Sequence, residues 1–175
     1  FALNVDVPFG DRVDFSFGGN AVWNLDYSFD DFEVQGVLVE PAYDAIGFGN
    51  YFRDPNTVPE WRANAYANLA FEPVNLRYTV THIDGVFDDR CIDRDPCFST
   101  SQGPTDFGIE SGSFTQHDIA ATIQLSLAGV DAELQAAIRN FTDEEPSQAQ
   151  LPLAYNPFIG NAIGRNYRLG LRIRY

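Results

Sequence analysis

The sequence predicts an all-β protein: one antiparallel sheet of the kind that walls a membrane barrel. Three observations predict it. Apolar and polar residues alternate over long stretches, most plainly in the last. There Tyr167, Leu169, Leu171, Ile173 and Tyr175 fall on one face, and Arg168, Gly170, Arg172 and Arg174 on the other, as a strand's two-residue period requires. Short turns alternate with long loops, so the turns gather at one rim of the sheet and the loops at the opposite rim, the asymmetry of outer-membrane barrels. The strands number about seven, an odd count, whereas single-chain bacterial barrels use even numbers. Such a sheet does not close on itself. Its missing edge must come from more polypeptide, because each unpaired backbone group in hydrocarbon costs several kcal/mol.

The elements follow in order. Phe1, Leu3, Val5 and Val7 alternate with Ala2, Asn4 and Asp6, and Pro8 to Asp11 reads as a tight turn. The longest run sets Val13, Phe15, Phe17, Gly19, Ala21, Trp23, Leu25, Tyr27 and Phe29 on one face, with Val22 the one apolar break in the other. Soluble strands usually stop near five or six residues, whereas a membrane strand takes about 9–11. Phe32 to Asn56 loses the alternation and reads as a loop. Trp61 to Phe71 and Val74 to Thr81 resume it around a Glu72-Pro73 turn. Gly85 to Ser113 is a second loop, acidic and Cys-bearing. Ile119 to Leu127 and Val130 to Arg139 flank a turn at Ala128-Gly129, and a third loop, Phe141 to Gly164, leads into the final strand.

Composition sets bounds. The chain has 175 residues, enough for one domain. No segment approaches the roughly 18 apolar residues of a membrane helix, which leaves barrel strands open because their alternation averages away. The 15 Phe, 8 Tyr and 2 Trp suit either a soluble β core or the aromatic girdles of a barrel. A net charge of -14 argues against nucleic acid as a partner, since phosphates need a basic footprint. Every positive side chain is Arg, and there is no Met. A chain with neither an initiator Met nor a basic leader reads as processed or cut from something longer.

Cys91 and Cys97, in CIDRDPC, suit a small disulfide loop in an oxidising compartment. The plainer alternative is two free thiols, and a zinc site lacks a second ligand pair. Asp88, Asp89, Asp93 and Asp95 lack the ordered ligand spacing of a calcium loop, so the loop is expected to be solvated and no metal or other cofactor is expected. Catalysis has little support. His117 and Asp118 are adjacent on a strand and face opposite ways, His82 has no nucleophile partner, and no G-x-S-x-G or phosphate-cradling loop is present. The chain is not expected to be an enzyme.

Several motifs carry a family resemblance. Asn140-Phe141-Thr142-Asp143-Glu144-Glu145-Pro146 resembles the N-[LF]-[FT]-D-x-x-P segment near the end of TonB-dependent outer-membrane receptors. Tyr155-Asn156-Pro157 resembles their Tyr-Asp-Pro step, with Asn replacing Asp. Gly164-Arg165-Asn166-Tyr167 resembles the Gly-Arg-x-Tyr opening of their final strand, and Pro59-Glu60-Trp61-Arg62-Ala63-Asn64 resembles Pro-x-x-[RK]-x-N at an earlier one. Arg168, Gly170, Ile173 and Tyr175 are similar to the C-terminal assembly signal of outer-membrane barrels, with Ile173 where an aromatic is common. The resemblance spans the whole chain as the last third of a barrel of about 22 strands around a plugged lumen.

It implies active uptake of a scarce, bulky nutrient: a ferric siderophore, a corrinoid or an oligosaccharide. It also implies the outer membrane as location, with long loops extracellular and the C-terminus periplasmic. The implied partners are outer-membrane lipid, the rest of the barrel and its plug, TonB through an N-terminal part, and the barrel-assembly machinery. The plug and the TonB box are not in this sequence. A passive porin is the alternative, and a secreted soluble β binding domain a further one.

On that reading Asp131, Glu133, Arg139, Arg168, Arg172 and Arg174 face the lumen, paired across the last two strands at about 0.2–1 kcal/mol per opposite-charge pair. Tyr43, Phe48, Tyr51 and Phe52 form an aromatic loop able to stack on a ligand ring at the mouth, or to pack against neighbouring loops.

Overall fold

The computed structural model describes residues 1–9, 12–127 and 129–174. Seven long strands form one sheet: β1 (Ala2–Phe9), β2 (Val13–Trp23), β3 (Trp61–Phe71), β4 (Val74–Ile83), β5 (Phe114–Leu127), β6 (Val130–Arg139) and β7 (Asn166–Arg174). Each is antiparallel to its sequence neighbour, in the order β1 to β7 without a crossover. The sheet is open, and among the described residues the outer edges of β1 and β7 pair with no strand. Among the described residues no helix is long and apolar enough to cross a membrane, which says nothing of strands. The predicted turns at Pro8–Asp11 and Ala128–Gly129 lie partly outside the described residues, as does Tyr175.

The alternation translates into aligned rows. One row runs Val5, Phe17, Ala67, Tyr78, Ile119, Ile138 and Tyr167 across all seven strands. A second runs Val7, Phe15, Leu69, Leu76, Ala121, Ala136 and Leu169. A one-residue slip anywhere would flip a strand's apolar set to the other face, and none occurs. Among the described residues no layer covers this face: Leu3, Leu169 and Leu171 are exposed, Leu171 at 64%. The described apolar core is small and lies at the loop rim, where Val86, Phe114 and Ile159 pack with Ile83.

The apolar face is bounded by aromatic rings at the loop rim. Trp23 stacks on Trp61 with centroids 6.0 Å apart, and Trp61 on His82 at 4.3 Å. His117 stacks on Tyr78 at 6.0 Å, and Tyr167 follows on β7. This boundary is oblique to the rows. Tyr167 shares its row with Ala67 rather than with Trp61. The boundary thus drops about 20 Å along the strands while crossing about 19 Å of sheet, at about 3.4 Å per residue and about 4.8 Å per strand. Its slope is roughly 45°. The turn rim slopes the same way, from the β3–β4 turn at Phe71 to the β5–β6 turn at Val130. β3 has 11 residues, about 34 Å, so the band is about 24 Å tall when measured across the slope.

The opposite face is polar. Asn64 Nδ2 donates to Asn20 Oδ1 at 2.9 Å, and the Arg77 guanidinium lies 4.2 Å over the Tyr66 ring. Tyr66 lies across Gly18, where a Cβ would stand 2.6 Å from the Leu3 carbonyl and 3.0 Å from the ring. Only glycine admits that approach.

Two sequence expectations change. β2 ends at Trp23 instead of continuing to Phe29, although the alternation persists. Its partner β3 starts only at Trp61: beyond the bond from the Asn24 amide to the Glu60 carbonyl, the Asn24 side chain, not a backbone group, takes the Pro59 carbonyl, at 2.7 Å. Ser28–Phe29 pairs instead with Tyr43–Asp44. The stretch read as plain loop also contains a ribbon, Phe32–Val34 with Val37–Glu40. Its two-residue turn has Gln35 at φ 54° and Gly36 at φ 75°, the left-handed pair whose twist suits a hairpin.

Candidate functional site

The three long connections, residues 24–60, 84–113 and 140–165, meet above the loop rim. The last of them is anchored first. Asn140, at φ 50°, ends β6, and its amide nitrogen donates to Asp118 Oδ1 at 2.9 Å. Its side chain closes a turn by donating to the Glu144 carbonyl and accepting from the Glu144 amide, both at 2.9 Å. Asp143 then accepts the Arg165 amide at 2.8 Å. One Asn and one Asp thus tie the end of β6 to the start of β7, which gives the Asn140–Pro146 motif a physical purpose.

Asn156 ties this connection to the first. It is 2% exposed, and its Nδ2 donates to Thr57 Oγ1 at 3.0 Å and to the Tyr51 hydroxyl at 3.2 Å. Its Oδ1 accepts the Phe158 amide, and Thr57 Oγ1 donates to the Gly49 carbonyl. The first and second connections are joined by backbone bonds between Gly47, Gly49 and Phe87, each 2.8 Å. Replacing Asn156 with Ala leaves buried hydroxyls short of partners and is expected to cost about 1–3 kcal/mol. Faster amide exchange at Thr57 and Phe158, with the strands unchanged, is the measurement.

Arg90 binds all three. It follows Asp88, which caps the short 3-10 turn Asp89–Cys91. Arg90 Nε donates to Asp88 Oδ1 at 2.8 Å and Nη2 to Asp88 Oδ2 at 2.5 Å, while Nη2 also reaches the Gln150 carbonyl at 3.0 Å. The guanidinium lies 5.0–5.5 Å from the centroids of Tyr51, Phe52 and Phe98. Hydrogen bonding to Asp88 raises its pKa further above the ordinary arginine range. Cys91 and Cys97 form a disulfide across a separation of six. A loop that short constrains the unfolded chain by about 2 kcal/mol, so Cys91→Ser is expected to loosen residues 92–106 locally. Limited proteolysis of that segment, with the sheet intact, checks it.

The predicted mouth residues separate. Tyr43, Phe48 and Phe52 line an open cleft of about 990 Å³ between the first two connections. Tyr51 instead faces the loop interior, between Asn156, Ser111 and Arg90. The Tyr43 hydroxyl donates to the Asp54 carbonyl at 2.6 Å, and desolvation, then Glu40, raises its pKa. In the acidic loop, Asp88 is committed to Arg90, and Asp89 accepts the Tyr51 amide and faces Arg53 at 3.8 Å.

The charged set of the last two strands lies on the polar face. Asp131 stands opposite Arg174, and Glu133 opposite Arg172, but neither pair closes to 4 Å. Glu133 takes hydrogen bonds from Gln124 and Gln135, and Asp131 one from Ser126. Arg168 stands opposite Ala137, and Gly170 opposite Gln135. Arg139 is opposite Asn166 and turns back to Asp118 of β5 at 3.8 Å. Arg139 thus lies diagonal to Arg168 on the same face, and the carboxylate on its other side takes it.

The chain matches no protein-family model, no curated protein and no solved structure.

Proposed function

We propose that this chain is the C-terminal barrel wall and outer-loop portion of a TonB-dependent outer-membrane receptor, which takes up a scarce, bulky nutrient. The oblique apolar band carries the reading. Outer-membrane strands tilt by about 35–45° and show an apolar band about 25 Å tall between aromatic girdles. A slope of roughly 45° and a height of about 24 Å, from β3 onward, agree with both. Soluble barrels stagger their strands as well, but they turn the apolar face inward, whereas here it is exposed, Leu169 at 79%. An apolar face left uncovered across seven strands is far larger than a soluble monomer carries.

On this reading the open edges of β1 and β7 pair with further polypeptide that completes the barrel, the lipid contacts the Tyr167 face, and the Arg172 face looks into the lumen. The braced loops form an extracellular cap, and the end of β7 serves as the handle for assembly. The cap and the Asn140–Asp143 clamp favour a receptor over a passive porin, whose function needs an open mouth.

The test uses the polypeptide that carries this sequence, extracted from outer membranes with detergent. Heat-modifiable electrophoretic mobility and no steady conductance in a planar bilayer are the expected results. A large steady conductance points to the porin, and a monomer soluble without detergent overturns the membrane assignment.

A further inference from the structure

Resting on the receptor reading, we propose that the cleft between residues 39–53 and 89–94 binds a neutral polyhydroxylated ligand, an oligosaccharide segment, with Phe52 as its stacking face. The cleft pairs aromatic surface with planar polar groups of both signs. Phe52 is 80% exposed, and Tyr43 and Phe48 line the same space. Arg53 is held in place with its guanidinium 4.5 Å over the Tyr43 ring and its Nε between Glu40 at 3.7 Å and Asp89 at 3.8 Å. Those contacts use only Nε, so the terminal amino groups remain as donors. Asn50 borders the cleft and is 1% exposed. Its Nδ2 is spent on the Ala45 and Phe48 carbonyls, while its buried Oδ1 has no partner.

Charge decides the class. An anionic ligand meets Glu40, Asp44, Asp89 and Asp93 in a chain of net charge -14. A cationic ligand meets Arg53, Arg90 and Arg94, and the Tyr43 ring is already taken by Arg53. A hydroxyl both donates and accepts, so a sugar satisfies the mixed array without opposing either sign, and its C–H face suits an exposed phenyl ring.

Calorimetric titration of the full detergent-extracted polypeptide with maltoheptaose, cellohexaose and xylohexaose, and with citrate and spermidine as charged probes, tests this. Saturable binding of at least one oligosaccharide is expected, weakened about tenfold or more by Phe52→Ala and also by Arg53→Lys, which keeps the charge and loses the fork. Citrate and spermidine are expected not to bind at the same concentration. Absence of binding by all three sugars, indifference to Phe52→Ala, or tighter binding of a charged probe overturns the proposal. Heat-modifiable mobility of the same sample separates the two readings. A barrel that binds no sugar sinks this inference alone, and a polypeptide soluble without detergent sinks the receptor reading beneath it.

Discussion

Replacing Leu171 with Arg is expected, on the proposed barrel reading, to lower the stability of the protein in lipid by about 2–4 kcal/mol, while Leu25→Arg changes it by less than about 0.5 kcal/mol. Both leucines are exposed, Leu171 at 64% and Leu25 at 87%, and a soluble sheet would accept arginine at either. They differ in position. Leu171 lies on β7 two rows inside the Tyr167 boundary, opposite Leu134. Leu25 lies beyond Trp23, on the loop side of the aromatic rim. In hydrocarbon the guanidinium loses its hydration at the first site and keeps it at the second. Equilibrium unfolding in lipid vesicles reads the difference. Equal effects of the two substitutions would show that the Trp61–Tyr167 line is not a membrane boundary.

Replacing Arg90 with Ala is expected to open the loop cap by about 3–5 kcal/mol, because it strands a buried charge. Asp88 is 2% exposed and its carboxylate is held by the Arg90 fork. The same substitution removes the link to the Gln150 carbonyl and the contacts to Tyr51, Phe52 and Phe98. The loss is local. Hydrogen exchange should quicken at Tyr51, Cys91 and Leu151, with strand protection retained. A companion Asp88→Asn in the Arg90→Ala background should recover part of the loss by removing the stranded charge. Failure of that recovery would mean that packing, rather than the ion pair, holds the cap.

Much of the sheet was legible in the sequence because alternation reports the face of a side chain directly. Short turns fix the register within β1–β2, β3–β4 and β5–β6, but the long connections leave the other three pairings, and with them the full row from Val5 to Tyr167, unspecified by local sequence. Alternation does not report whether a ladder partner exists. Leu25, Tyr27 and Phe29 keep the rhythm of β2 after their partner strand has ended at Trp61, so the strand read too long. The ribbon at Phe32–Glu40 was hidden because its residues are exposed on both faces and mix Phe and Val with acids. The clamp at Asn140 and Asp143 showed only as a motif, with no hint of its role. The cap was the least legible part. Asn156 and Thr57 bond across a separation of 99 residues, and no local pattern distinguishes a buried Asn from a loop Asn. The same limit grouped Tyr51 with Phe52, adjacent in sequence yet turned to opposite sides of the loop.

The cross-bracing of the three connections bears on how fast and how tightly anything binds above the rim. Thr57, Arg90 and Asn156 fix their loops against one another when the chain folds, so the entropy of ordering them is spent before a ligand arrives. Arrival then needs no loop to close, and association runs at the rate of encounter and orientation. Selectivity among ligands then falls to their rates of departure.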